Sequence, residues 1–436
     1  MRFAVLRWLF VVGVLAGSGT VANPEVAAGR ASAPVGHAVS ILSVGAGAYA
    51  GYAVLSDGHV WAWGDDLEGQ IGNTGPWSSR TLPVEVQGLS GATLVAGGAG
   101  SAYALEGDGT VWAWGDDSQG ELADGRFTLR QLPGLVPNLT AVTTVAAGAF
   151  AAYAIRRDGT AWAWGDDSFG QLGTGSGQGV STTPQELAGL TDVVAIAAGT
   201  SDGYALLHDG TVWTWGDNSL GQLGGAECGS TPASRHGTCL ASSIPRQIPD
   251  LTGVVAIAAG GDSGYALRRD GTLWAWGDDD FGELGNGVVR LDERVPVRVK
   301  GLRHVVAIAA GSGSGYALLR DGTVWAWGRG DYGQLGDGST SKRSLPGPVK
   351  GLTRVVEVVG GGDMAFALQS DGELWAWGAN AYGQLGNGSV TSRDLPVRVL
   401  RLASLAPDPA RNRKRSLGSR PPVADVIVRH KLATVA

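Results

Sequence analysis

Short apolar runs separated by glycine set the pattern of this chain. In one stretch Val305-Val306-Ala307-Ile308-Ala309-Ala310 ends at Gly311, Tyr316-Ala317-Leu318-Leu319 follows Gly315, and Val324-Trp325-Ala326-Trp327 follows Asp321-Gly322. Runs this short, rich in β-branched and aromatic residues and bounded by Gly, read as strands, with Asp-Gly as the tight hairpin between the second and third. A fourth run, such as Val297-Arg298-Val299 or Val397-Arg398-Val399, follows a proline. Proline opening that run suits an edge strand, where its missing N–H breaks no ladder.

The unit recurs. Asp-Gly-x-x-Trp-x-Trp-Gly begins at Asp57, Asp108, Asp158, Asp209, Asp270, Asp321 and Asp371, with spacings of 51, 50, 51, 61, 51 and 50 residues. A period near fifty in seven copies predicts an all-β chain closed into a seven-bladed β-propeller, four antiparallel strands per blade. Units of this size bury no core alone, so one ring accounts for most of the 436 residues. In the third strand the two Trp lie at i and i+2 and point to one face while Ala points to the other. Large against small suits blade-on-blade packing; a row of sugar-stacking platforms is the other reading, and it has no need of seven identical copies. A strand near Ala38 to Val44 sharing a blade with one near Val397 to Leu400 would mark the closure.

Three linked sub-motifs now stand at constant spacing: Gly-x-x-x-x-Tyr-Ala-Leu, Asp-Gly-x-x-Trp-x-Trp-Gly, and Gly-Gln-Leu-Gly at Gly170 to Gly173, Gly221 to Gly224, Gly333 to Gly336 and Gly383 to Gly386. Together they resemble the repeat of the regulator of chromosome condensation family over nearly all of residues 38 to 400. The resemblance implies a seven-bladed ring and leaves function open. The family includes nuclear guanine-nucleotide exchange factors and a secreted branch that inhibits β-lactamases through one propeller face. No exchange-factor catalytic residue carries over by motif, and its inserted β-wedge has no counterpart. Where many family repeats have histidine, this chain has Gly51, Ala102, Ala152, Gly203, Gly264, Gly315 and Ala365. The inhibitor branch implies a binding role without naming a target.

Outside the ring, Arg2 and Arg7 precede an apolar run from Trp8 to Ala16 and small residues at Thr20-Val21-Ala22 and Ala31-Ser32-Ala33. That order predicts a signal peptide and leader over residues 1–33, hence secretion and no membrane span after cleavage. The propeller is then expected over 34–402 and a solvated basic tail, including Arg411-Asn412-Arg413-Lys414-Arg415, over 403–436. In an oxidising compartment Cys228 and Cys239, the two cysteines present, are expected to form a disulfide. Of the net charge of −7, the leader contributes +2 and residues 401–436 contribute +6, which leaves −15 for residues 34–400. An acidic ring disfavours nucleic acid as a partner.

Candidate binding residues lie where the copies differ. The loops after each Trp-Gly carry Asp65-Asp66, Asp116-Asp117, Asp166-Asp167, Asp217-Asn218 and Asp278-Asp279-Asp280, whereas blades six and seven have Arg329-Gly330 and Ala379-Asn380. Up-and-down connectivity puts these loops on one face and the Asp-Gly hairpins on the other. The acids either cap turns, which explains the first of each pair better than the second, or form an electronegative arc for a cationic partner. Just beyond them stand Phe169, Leu220, Phe281, Tyr332 and Tyr382, either as local packing or as interface anchors. Blade four alone carries an extra loop, 21 residues from Gly224 to Pro245 against 11 from Gly72 to Pro83, which holds Arg235 and His236 between the cysteines. It reads as a tolerated insertion or as a contact loop.

Catalytic patterns are sparse. Gly199-Thr200-Ser201-Asp202-Gly203 matches a nucleophile-elbow string but joins two strands rather than a strand and a helix. The histidines are scattered without metal-ligand spacing, and no phosphate-binding loop occurs. The residues therefore predict a secreted, monomeric, non-catalytic binding propeller without cofactor or metal, engaging an extracellular protein or polymer through its loop face. A secreted lyase or hydrolase with its site in the central depression is the alternative, and intracellular nucleotide exchange a third.

Overall fold

A computed structural model describes residues 39–177, 179–225, 240–290, 292–400 and 402. Cys228, Cys239, Arg235 and His236 lie outside the described residues, as do the leader and the basic tail. Strands β1 to β28 form seven four-stranded sheets, each a meander in chain order. The first blade comprises β1 (Ile41–Ala46), β2 (Ala50–Leu55), β3 (Val60–Gly64) and β4 (Arg80–Glu85), and all of its pairings are antiparallel. The seventh comprises β25 (Val355–Gly360), β26 (Met364–Gln369), β27 (Leu374–Gly378) and β28 (Arg393–Arg398).

Each Asp-Gly turn differs slightly from a two-residue hairpin. Gly58 N–H donates to the Leu55 carbonyl and Leu55 N–H to the His59 carbonyl, while Gly58 takes φ +82°. This is a three-residue loop with its glycine in the left-handed region, a glycine-type bulge. The proline of the fourth strand sits within it rather than opening it. Around Pro83 the pairing skips from Val84↔Ala62 to Arg80↔Gly64, so the proline occupies a bulge on an edge strand.

Blade-on-blade packing is carried by the motif itself. The second Trp of every copy is fully buried and its indole N–H reaches back to the preceding blade. Trp114 Nε1 donates to the Gln70 carbonyl at 2.9 Å, Trp164 to Glu121 at 2.8 Å and Trp215 to Gln171 at 2.7 Å. The same carbonyls accept the tyrosine hydroxyl of their own blade, Tyr52 to Gln70 at 3.0 Å and Tyr153 to Gln171 at 2.6 Å. The tyrosine and the incoming tryptophan meet edge to face, with centroids 6.3 Å apart for Tyr52 and Trp114, a favoured aromatic geometry. The indole N–H, the tyrosine hydroxyl and the loop carbonyl of the junction thereby satisfy one another. Burial pushes the tyrosine hydroxyls well above their usual pKa, so they remain donors.

The ring closes without a shared blade: β1 and β28 belong to different sheets. Closure uses the repeat's own junction, Trp63 Nε1 donating to the Gln384 carbonyl at 2.9 Å with Trp63 edge-on to Phe366 at 5.6 Å. Phe366 stands where the other six blades have tyrosine, so this carbonyl receives the indole alone.

Candidate functional site

The loop face surrounds a central cavity of about 130 Å³ to which all seven blades contribute. Its lining consists of Gly and Ala with Thr200 and Ser312, because at the axis the first strands converge and neighbouring backbones leave no room for side chains. A Cβ at Gly47 would lie 2.5 Å from the Gly98 carbonyl, and one at Gly148 2.5 Å from the Gly199 carbonyl. Function on this face therefore depends on the collar of loops around the cavity.

In that collar the two acids of each pair have separate places. Asp66, Asp117, Asp167 and Asp279 are fully or almost fully buried, and each accepts the N–H five residues on: Ile71 at 3.1 Å, Leu122 at 2.9 Å, Leu172 at 3.0 Å and Leu284 at 3.1 Å. Asn218 and Asn380 make the same bond to Leu223 and Leu385. The second acid, which turn capping explained poorly from sequence, is the one that clamps the loop from inside. Burial raises Asp66 and Asp279 to about 6.

The first acids lie nearer solvent. Asp116, Asp217 and Asp278 are half-buried, while Asp65 and Asp166 are just covered. Asp65, Asp166 and Asp217 accept the side-chain amides of Gln70, Gln171 and Gln222. In blades two and five glutamate replaces that glutamine. Burial first, then the neighbouring aspartates, raise Glu121 to about 7 and Glu283 to about 8. Around blades four and five Asp217 also faces Asp262 and the buried Asp202, and burial with this like charge raises Asp262. Asp202 accepts the Tyr204 hydroxyl. Among the described residues no group of His, Cys, Asp and Glu is arranged to hold a metal ion.

Charge changes sign at blade six. Arg329 pairs with Asp331 at 3.0 Å and Asp363 at 3.5 Å, and its guanidinium lies over Phe281 and Tyr332 at 5.1 Å and 5.4 Å from the ring centres. Of the candidates at the position before Gly-(Gln/Glu)-Leu-Gly, Phe169, Tyr332 and Tyr382 are exposed, while Phe281 and Leu220 are half-buried. Sequence reasoning missed Tyr49, exposed in the first loop of blade one and edge-on to Tyr382 at 5.5 Å, and Phe150 in the corresponding loop of blade three. Both break the Gly/Ala pattern of their loops, which was the available signal. Phe281, Tyr332, Tyr382 and Tyr49 thus run through blades five, six and seven and across the closure into blade one.

Comparison with known proteins agrees with this architecture. A model of the RCC1-like domain matches residues 16–313, and models of the regulator of chromosome condensation (RCC1) repeat match residues 321–368 and 371–409. The chain belongs to the RCC1 family. Among RCC1-like relatives, the human E3 ubiquitin-protein ligase HERC2 is 30% identical over 306 residues, 67% of this chain and 5% of the ligase. The Arabidopsis thaliana ultraviolet-B receptor UVR8 is 31% identical over 316 residues, 71% of this chain and 58% of the receptor. This RCC1 ring therefore spans a small part of the ligase and over half of the receptor. The fold is similar to that of Prp20p from Saccharomyces cerevisiae, with a TM-score of 0.68 at 23% identity covering 80% and 87% of the two chains. Human WBSCR16 gives a TM-score of 0.69 at 23% identity, covering 79% and 94%. No helix among the described residues is long and apolar enough to cross a membrane.

Proposed function

We propose that this RCC1-like ring is a non-catalytic binding module that engages a partner protein outside the cell through its loop face. The observation that carries the reading is the collar: exposed Tyr49, Tyr332 and Tyr382, with Arg329 over the Tyr332 ring, beside the half-buried acids Asp116, Asp217 and Asp278. Rigid aromatics next to partly desolvated charge are the makings of interface hot spots. The axial cavity, lined by Gly, Ala, Thr and Ser, offers little for acid–base chemistry, which favours binding over hydrolysis. Prp20p is described as binding Gsp1p and histones, which lends the fold a protein-binding precedent. The extracellular setting rests on the leader sequence.

The test is affinity capture from culture fluid by the purified chain, compared with a Tyr49→Ala/Tyr332→Ala/Tyr382→Ala variant of equal melting temperature. Expected is a partner retained by the parent and lost by the variant. Equal capture by both, or no partner at all, overturns the reading. The lyase or hydrolase alternative draws on the Asp202, Asp217 and Asp262 cluster; turnover of an extracellular polymer abolished by Asp262→Asn would favour it instead.

A further inference from the structure

The opposite face, where the Asp-Gly hairpins and blade-to-blade linkers emerge, carries its own departure from the repeat. In blades three and five the residue two before Asp-Gly is arginine, and its guanidinium covers the first Trp of the motif: Arg156 lies 4.3 Å from the ring centre of Trp162, and Arg268 4.7 Å from that of Trp274. Each arginine is held there by a linker carbonyl, Asn138 at 3.1 Å and Asp250 at 2.8 Å. In blade six this position is Leu319, which is too short to lie across Trp325, and a cavity of about 470 Å³ opens beside the indole. That volume falls within the range of small-molecule pockets.

The cavity is cationic. Its walls include Arg303, His304 and Arg320, all exposed, and the linker entering blade six places Arg303 and His304 side by side, where the linker into blade four has Thr191-Asp192 and that into blade five Thr252-Gly253. Linker and hairpin are fixed to each other, because Arg320 N–H donates to the His304 carbonyl at 3.0 Å while His304 holds a left-handed φ of +57°. The one carboxylate in the wall, Asp321, is engaged with Thr323 through its backbone N–H at 3.0 Å and hydroxyl at 2.7 Å. By contrast Arg354, in the next linker, is paired with Asp371 at 2.8 Å; among the described residues Arg303 and Arg320 have no such ion pair.

We propose that this cavity is a binding site for a small molecule in which a planar ring carries a carboxylate or a phosphate. The guanidiniums of Arg303 and Arg320 supply the forked donors that such oxyanions accept, and the uncovered indole of Trp325 supplies the surface on which the ring stacks. The site is independent of the loop face and of the partner proposed for it.

Calorimetric titration of the full chain tests the proposal with indoleacetate and adenosine monophosphate as the two ring-bearing anions, acetate and inorganic phosphate as ringless anions, and tryptamine as a ring of opposite charge. At least one ring-bearing anion is expected to bind about tenfold or more tightly than its ringless counterpart, with tryptamine not binding; whichever it is distinguishes a carboxylate from a phosphate ligand. Leu319→Arg rebuilds the arginine-over-tryptophan stack that blades three and five already accommodate and is expected to remove the advantage of the ring. Arg303→Ala/Arg320→Ala, at exposed positions, is expected to weaken binding by about tenfold or more with an unchanged melting temperature. Absence of binding by both ring-bearing anions up to about 10 mM, equal binding by ringless anions, or binding unaffected by either variant overturns the proposal.

Discussion

Trp215→Ala tests the junction on which the ring depends. The Trp215 side chain is fully buried, edge-on to Tyr153 at 5.8 Å, and bonded to the Gln171 carbonyl at 2.7 Å. Its ring lies so close to the preceding, paired strand that a Cβ at Gly203 would be 2.4 Å from it. Removing an indole that buries roughly 150 to 250 Å² forfeits about 4 to 6 kcal/mol of gross transfer energy at about 25 cal/mol per Å². Alanine restores only a small part, and measured Trp→Ala losses in close-packed cores run at about 3 to 5 kcal/mol. The Gln171 carbonyl keeps the Tyr153 hydroxyl as a donor, so no acceptor is orphaned and the loss stays within that range. Trp213 is half-buried and its N–H is held by Thr211 of its own blade at 3.3 Å; Trp213→Ala should cost about 1 to 2 kcal/mol. Urea unfolding followed by far-UV circular dichroism, with linear extrapolation to water, measures both. A Trp215→Ala ring within about 1 kcal/mol of the parent, or equal losses for the two variants, refutes blade stacking through the second tryptophan.

Other expectations concern the collar. Asp167→Ala should cost about 1 to 3 kcal/mol by orphaning the Leu172 N–H, whereas Asp167→Asn should be nearly neutral, because Asn218 and Asn380 make that bond in blades four and seven; thermal melts of the pair separate the two. Glu283, at about 8 when folded against an ordinary value of 4.5, binds an extra proton in the native state between those values, so its contribution to stability falls as pH rises through that window. Glu283→Gln, which installs the residue found at Gln70, Gln171, Gln222, Gln334 and Gln384, should raise the melting temperature at pH 8 and leave it unchanged at pH 4.5; a loss at pH 8 would contradict the burial argument. Asp66 and Asp279, both at about 6, and Glu357, raised by burial to about 8, act in the same direction, so the parent ring should melt at a higher temperature at pH 5 than at pH 8.

The blade count, the strand order within a blade and the packing role of the tryptophans were legible because the motif fixes each with residue types that serve few other purposes. Its division of labour was not. Trp61 and Trp63 share a face by parity, yet Trp63 is buried and bonded to another blade while Trp61 is half-buried; parity says which way a side chain points and nothing about what lies there. The Asp pairs left turn capping and a surface arc both open, because adjacent acids usually seek water yet short polar side chains also bond to turn backbone. The bond from the second acid to an N–H five residues on depends on loop curvature that spacing does not encode. Tyr49 and Tyr382 are 333 positions apart by their numbers and meet only because the ring closes, and the cavity beside Trp325 lies where blades three and five place an arginine over the indole.

Since the joint between the seventh and first blades uses the same indole-to-carbonyl contact as the internal joints, no blade is privileged as a clasp. A circularly permuted chain, with residues 39 and 402 joined by a linker and new ends opened between blades at Gly189, should assemble the same wheel. The chain could thus begin at another spoke while the collar and the cavity beside Trp325 kept their places around the axle.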